Sequence, residues 1–152
     1  MRVTERAGRR VENPPTGTVT FLFTDIESST AMWERYPARM QDALARHDEI
    51  LRTSVEASGG YVFKTIGDAF CAAFTTARDA LEATLAAQRA LFVEKWNENT
   101  IVRVRMALHT GGPMEERDGD YFGQPVNRVA RLLSAGHGGQ VLLSGVIPNP
   151  VV

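Results

Sequence analysis

Two apolar runs, "YVFKTI" and "AFCAAF", meet through Gly67-Asp68, and this hairpin in mid-chain limits the fold more than any other feature. What flanks it narrows the choice further. Upstream, residues 18–24 have the β-branched and aromatic content of a strand, and residues 26–60 read as helix in two pieces. Pro37 suits the first turn of the second piece, Met40, Leu44, Leu51 and Val55 line one of its faces, and Gly59-Gly60 stop it. Downstream, Thr76 and Asp79 fit a capping box ahead of an alanine-rich helix over residues 77–96. The stretch "IVRVRMALH" then alternates strictly, with Val102, Val104, Met106 and Leu108 on one side. A polar loop, "EERDGDYFG", leads to a helix over 124–135 and a last short strand over 141–144.

The order is strand, helix, strand, strand, helix, strand, then one more helix and strand. That order predicts an α/β (α+β) fold with a ferredoxin-like split β-α-β core (βαββαβ) and an appended helix and strand. A right-handed split crossover lays the third strand antiparallel beside the first, so the carboxyl end of the first strand meets the hairpin turn. Asp25 closes the first strand in "FLFTDIESST", and Asp68 sits in the turn. The two acids are therefore expected together at one sheet edge, where they repel unless a cation lies between them. Hard oxygen ligands of this kind suit Mg²⁺ or Mn²⁺, which bind through one or two carboxylates plus substrate phosphates. The backbone amides of Ile26, Glu27, Ser28, Ser29 and Thr30 open a helix just past Asp25 and are suited to a triphosphate. Taken singly, Asp25 reads more readily as a helix cap and Asp68 as a turn residue; the pair is worth more than its members but says only metal and phosphate.

Composition excludes several other classes. With 152 residues, 43% apolar and 23% charged, the chain can bury one substantial core. A flexible arm over 1–17, a domain over 18–147 and a short tail over 148–152 are expected. A formal net charge of −1 gives no electrostatic case for nucleic acid or an anionic membrane. Neither a secretory apolar core nor a run of membrane-spanning length stands in the sequence, so a cytoplasmic location is expected. The single cysteine, Cys71, reads as a small core hydrophobe and fits a reducing compartment. His47, His109 and His137 show no metal-ligand spacing, and Trp33 and Trp96 read as core or interface.

Three blocks, "FLFTDIESST", "FKTIGDAFCAAF" and "GDYFGQPVNRVARL", resemble in order the signature blocks of class III nucleotidyl cyclases, the adenylyl and guanylyl cyclase catalytic domain. The resemblance covers residues 18–144. It implies that Asp25, Asp68 and the Ile26 carbonyl hold two divalent metal ions, Mg²⁺ or Mn²⁺. It implies that Lys64 and Asp120 read the base, and that Asn127 and Arg131, one helical turn apart, hold the ribose and the reacting phosphates. The reaction it implies is attack of the ribose 3′ oxygen on the α-phosphate with pyrophosphate leaving. Lysine can only donate and an ionised aspartate only accept, which matches the N1 acceptor and N6 amine of adenine and opposes guanine. ATP conversion to cyclic AMP is therefore expected. Guanylyl cyclases of the family usually carry glutamate and a small residue at those two positions.

One chain is not expected to suffice. Lys64 and Asp68 are about 13 Å apart along a strand at about 3.3 Å per residue, so the base-reading face and the acid edge point to different places. The resemblance implies a head-to-tail homodimer, in which one chain supplies Asp25 and Asp68 and its partner Lys64, Asp120, Asn127 and Arg131. The sequence also departs from the family: it ends at "VLLSGVIPNPVV", where these domains usually continue into a terminal strand pair with a further triphosphate-contacting lysine. A catalytically weak or silent nucleotide-binding regulatory module of the same fold is the alternative, although such a module would be expected to lose one of the six positions. A guanylyl cyclase is the other alternative. "TIGDAF" lacks the Gly-Gly-Asp-Glu turn of diguanylate cyclases, and an RNA-binding sheet would want a basic, aromatic face.

Overall fold

Residues 14–145 are described by the computed structural model. Nine elements follow in order: β1 (Gly17–Ile26), α1 (Ser29–Arg35), α2 (Pro37–Ala57), β2 (Tyr61–Ile66), β3 (Ala69–Phe74), α3 (Ala77–Val93), β4 (Val104–Met114), α4 (Gln124–Ser134) and β5 (Val141–Leu143). The strands form one sheet in the order β2-β3-β1-β4-β5, antiparallel throughout except for the β4–β5 pair. This is the split core expected from the element order, with α4 and β5 appended. Residues 1–13 of the expected arm and the expected tail over 148–152 lie outside the described residues.

Burial on both faces explains why β1 reads as an unbroken apolar run. Leu22 and Ile26 join Phe70, Phe74, Met106 and Leu108 under α2 and α3, while Phe21, Phe23 and Ala107 face α4. Full burial of a phenylalanine such as Phe21 or Phe74 contributes about 2–3 kcal/mol. On α3, Ala80, Ala83 and Ala87 are each 0% exposed, and these small residues let the helix lie close on the sheet. The Thr76 hydroxyl accepts the Asp79 N–H at 3.1 Å, the cap that the sequence predicts. Gln88 fixes the same helix to the sheet by donating to the Val104 carbonyl at 2.9 Å.

Two boundaries differ from expectation. Helix α3 stops at Val93 rather than residue 96, because Glu94 turns extended and the Trp96 indole N–H donates to the Leu91 carbonyl at 3.0 Å. Trp96 thus satisfies one of the carbonyls a helix end leaves open. Strand β4 begins at Val104, after a turn closed by the Thr100 N–H on the Asn97 carbonyl at 2.9 Å, and runs on to Met114 because it pairs with β1 along its whole length. At the other end, Pro15 is buried and its carbonyl accepts the Tyr121 hydroxyl at 2.7 Å, so the packed chain starts ahead of residue 18. Among the described residues, no helix is long and apolar enough to cross a membrane.

Candidate active site

Pairing of Thr24 with Phe70 sets the end of β1 against the β2–β3 turn. Gly67 takes φ +59° there, a left-handed conformation that costs glycine little, and so keeps the turn tight. Asp68 Oδ1 accepts the Ile26 N–H at 2.9 Å, which joins the hairpin acid to the residue following Asp25. The two acids thus stand at one end of the sheet, the acid edge, linked through Ile26. Asp25 also carries a counter-charge: Arg105 donates from Nε to Oδ1 at 2.7 Å and from Nη2 to Oδ2 at 2.6 Å. This two-pronged bond raises the Arg105 pKa above its ordinary value.

Arg105 escapes a reading of the sequence, where strict alternation only sets it opposite Val104 and Met106. Its signal is the register of β4 on β1, which pairs Arg105 with Asp25. Among the described residues, no group of three or more His, Cys, Asp or Glu side chains could hold a metal. The oxygen donors at the acid edge are the two carboxylates, with both Asp25 oxygens also accepting from Arg105, and the Ile26 carbonyl. Such a donor set fits Mg²⁺ or Mn²⁺, ions that complete their shell with water and substrate phosphates.

The chain next to this edge is partly committed. The Ile26 N–H bonds Asp68, and the Glu27 N–H donates to the Arg103 carbonyl at 2.8 Å. Ser28, with φ +61°, is the left-handed N-cap of α1, and Ser29 and Thr30 open the helix. Their amides are among the first-turn donors that a helix cannot satisfy internally.

The second pair is made by Lys64 Nζ and Asp120 Oδ2, 2.8 Å apart. A bulge in β2 makes this contact. Val62 pairs with Ala72 but Lys64 with Cys71, which leaves Phe63 as the extra residue. Strict alternation would send Phe63 and Lys64 to opposite faces; the bulge turns both toward the face that α4 covers. There Phe63 packs edge-on against Tyr121 at 4.8 Å and Phe21 at 5.9 Å. Because Phe63 holds Tyr121, the neighbours Lys64 and Asp120 are brought together. The loop bends through Asp118 (φ +55°) and Gly119 (φ +81°), Arg117 and Asp120 exchange backbone hydrogen bonds, and Asp120 Oδ1 accepts the Tyr121 N–H at 2.7 Å. Asp120 raises the Lys64 pKa, so the ammonium stays charged, and at 39% side-chain exposure it is open to a ligand.

Cys71 lies beside Lys64 in the sheet, yet burial pushes its thiol up to about 11. At pH 8 only about a thousandth is thiolate, so iodoacetamide should label the folded chain at least tenfold more slowly than the denatured chain. Equal rates would place the thiol at the surface.

On α4, Val129 and Leu133 are buried, and Asn127 and Arg131, one turn apart, are exposed. The six sequence-predicted positions thus form three pairs: Asp25 with Asp68, Lys64 with Asp120, and Asn127 with Arg131. Among the described residues, no ion pair or side-chain hydrogen bond joins one pair to another.

Known proteins are similar to this chain in sequence and fold. The family described as the adenylate and guanylate cyclase catalytic domain matches residues 11–148. The adenylate cyclase of Neurospora crassa is 38% identical over 155 residues, covering 86% of this chain and 7% of the fungal protein. An uncharacterised protein of Mycobacterium tuberculosis is 42% identical over 133 residues, covering 86% of this chain and 44% of that protein. The chain thus spans less than half the length of these relatives. Among solved structures, a Trypanosoma brucei adenylate cyclase in its monomeric state superposes with a TM-score of 0.82 at 28% identity, covering 91% of this chain and 78% of that one. The split core, the hairpin acid and a match across all the described residues have one explanation: the chain belongs to the adenylate and guanylate cyclase catalytic domain family, the class III cyclases.

Proposed function

We propose that the chain is an adenylyl cyclase that converts ATP to 3′,5′-cyclic AMP and pyrophosphate at a site shared by two copies. The Lys64–Asp120 pair carries this reading. It sets one obligate donor beside one acceptor, partly open to solvent, in the pattern that adenine complements and guanine opposes. Relatives named adenylate cyclase support the same choice.

Two divalent ions, Mg²⁺ or Mn²⁺, bound by Asp25, Asp68 and the Ile26 carbonyl would acidify the attacking hydroxyl and neutralise phosphoryl oxygens. The protein's own groups do the rest. Asn127 orients the ribose. Arg131 offsets the charge growing on the α-phosphate, where a fixed fork suits phosphate better than an ammonium does. Arg105, its fork held by Asp25, adds positive charge beside the triphosphate, and the amides of Ser28, Ser29 and Thr30 cradle it. The ribose 3′ oxygen bonds to the α-phosphorus as the bond to pyrophosphate breaks, and the hydroxyl proton passes to solvent or to a phosphate oxygen.

Two chains enter this reading because, among the described residues, no hydrogen bond or ion pair joins Lys64–Asp120 to the acid edge. Ile66, beside the hairpin turn, is 62% exposed and Phe122, beside Asp120, is 57% exposed. Large apolar side chains left open next to both half-sites suit an interface between copies. A cytoplasmic setting fits an ATP substrate and the lone thiol.

Incubation of the purified chain with Mn²⁺ and either ATP or GTP tests the proposal: cyclic AMP should form well ahead of cyclic GMP. No cyclic nucleotide from either would favour a silent regulatory module, and preferred use of GTP would overturn the base assignment. Lys64→Glu with Asp120→Ser should lower kcat/KM for ATP about a hundredfold and move preference toward GTP, the scale of leaving two polar groups unpaired. Retained ATP preference would mean that these side chains do not touch the base.

A further inference from the structure

Directly behind the acid edge, two buried polar atoms have no hydrogen-bond partner among the described residues: Thr24 Oγ1 and His47 Nε2. Both side chains are 0% exposed. Native structures contain few such atoms, and each needs a physical account. These two share a neighbour. Thr24 pairs with Phe70 across the β1–β3 ladder, and the His47 ring meets the Phe70 ring edge-on at 5.7 Å. By alternation Thr24 faces the same side as Leu22 and Ile26, the side that α2 covers with His47.

Their chemistry is complementary. The His47 Nδ1 lies 2.8 Å from Asp48 Oδ1, and burial holds the ring below its ordinary pKa. A neutral ring that gives its Nδ1 proton to Asp48 keeps only a lone pair at Nε2, an acceptor. The Thr24 hydroxyl has a proton to donate. One water accepting from Thr24 and donating to His47 satisfies both, and buried waters characteristically serve such sites.

The location gives this pair its meaning. Thr24 precedes Asp25, Phe70 follows Asp68 by two residues, and Asp68 is close enough for its charge to act on the His47 ring. We propose that Thr24 and His47 are positioning residues: they hold one buried water that braces the end of β1 against the hairpin and keeps Asp25 and Asp68 in register for divalent cations. The inference rests on the metal assignment of those two acids.

Mn²⁺ binding to the full chain provides the test, followed by electron paramagnetic resonance of the free ion with 3′-deoxy-ATP, which cannot cyclise. Thr24→Val and His47→Phe should each weaken Mn²⁺ binding about tenfold, the scale seen when groups supporting metal ligands are removed. The double variant should bind no more weakly than either single one, since each change alone removes the shared water. Thr24→Ser should bind as the parent does. The double variant should melt no lower than the parent, because apolar groups replace both polar partners, whereas each single variant leaves one buried polar atom unpaired and should melt somewhat lower. Binding within twofold of the parent in both single variants overturns the inference, as does a double variant weakened by the product of the single effects, or a double variant whose weakened binding comes with a lowered melting temperature. Asp68→Asn separates the two levels. If it weakens binding and the two single variants do not, this inference alone falls; if it binds Mn²⁺ as the parent does, the metal assignment falls and the inference with it.

Discussion

Asp25→Asn and Asp68→Asn chains should fold as the parent does yet make cyclic AMP at least about a hundredfold more slowly, the scale of losing one electrostatic contact to a transition state. Asparagine is the informative change because it separates charge from architecture. Asp68 Oδ1 holds the end of β1 by accepting the Ile26 N–H, and an asparagine oxygen still accepts that bond. Asp25 Oδ1 likewise accepts from Arg105 Nε, and an asparagine oxygen keeps that contact while the second prong is lost. The pair is only partly buried, with side-chain exposures of 27% and 26%, so its loss costs little stability. The negative charge is what the substitutions remove, and in this account the charge serves divalent ions. Near-parental activity in either folded variant would refute the metal role. The same variants should hold their melting temperatures without metal and lose the upward shift that Mn²⁺ and nucleotide give the parent.

The meeting of the two acids was legible because it follows from element order alone. Once Gly67-Asp68 is read as a hairpin between two helical stretches, handedness places β3 beside β1, and no residue-level register is required. Arg105 shows the opposite case. Alternation along β4 fixes which side it takes, but its pairing with Asp25 depends on how β4 slides against β1, which local sequence does not encode. The β2 bulge was equally hidden. Nothing in "YVFKTI" marks Phe63 as an extra residue, yet that residue turns Lys64 toward Asp120. Helix propensity carried α3 too far, since "VEKW" reads as helix until the Trp96 indole is seen capping the end. Asn127 and Arg131 stand on a solvent-facing turn of α4, where only the family blocks distinguish them from an ordinary polar surface. In the sequence His47 is only a helix histidine without metal-ligand spacing and Thr24 only a strand residue; both are buried, and their unpaired atoms become visible only when the partners around them can be enumerated.

The central claim is that one chain holds half of each site, and mixing two inactive chains tests it most directly. Asp68→Asn lacks an acid-edge ligand and Arg131→Ala lacks the guanidinium on α4, so each pure variant should be inactive. In a mixed pair one site has both defects and the other has neither. Equal amounts of the two should therefore recover about a quarter of the parental cyclic AMP production, since about half of randomly formed pairs are mixed and each holds one intact site. The recovered rate should rise with total protein concentration as pairing becomes complete. A mixture that stays inactive, while sedimentation shows the two chains associating, would contradict the shared site.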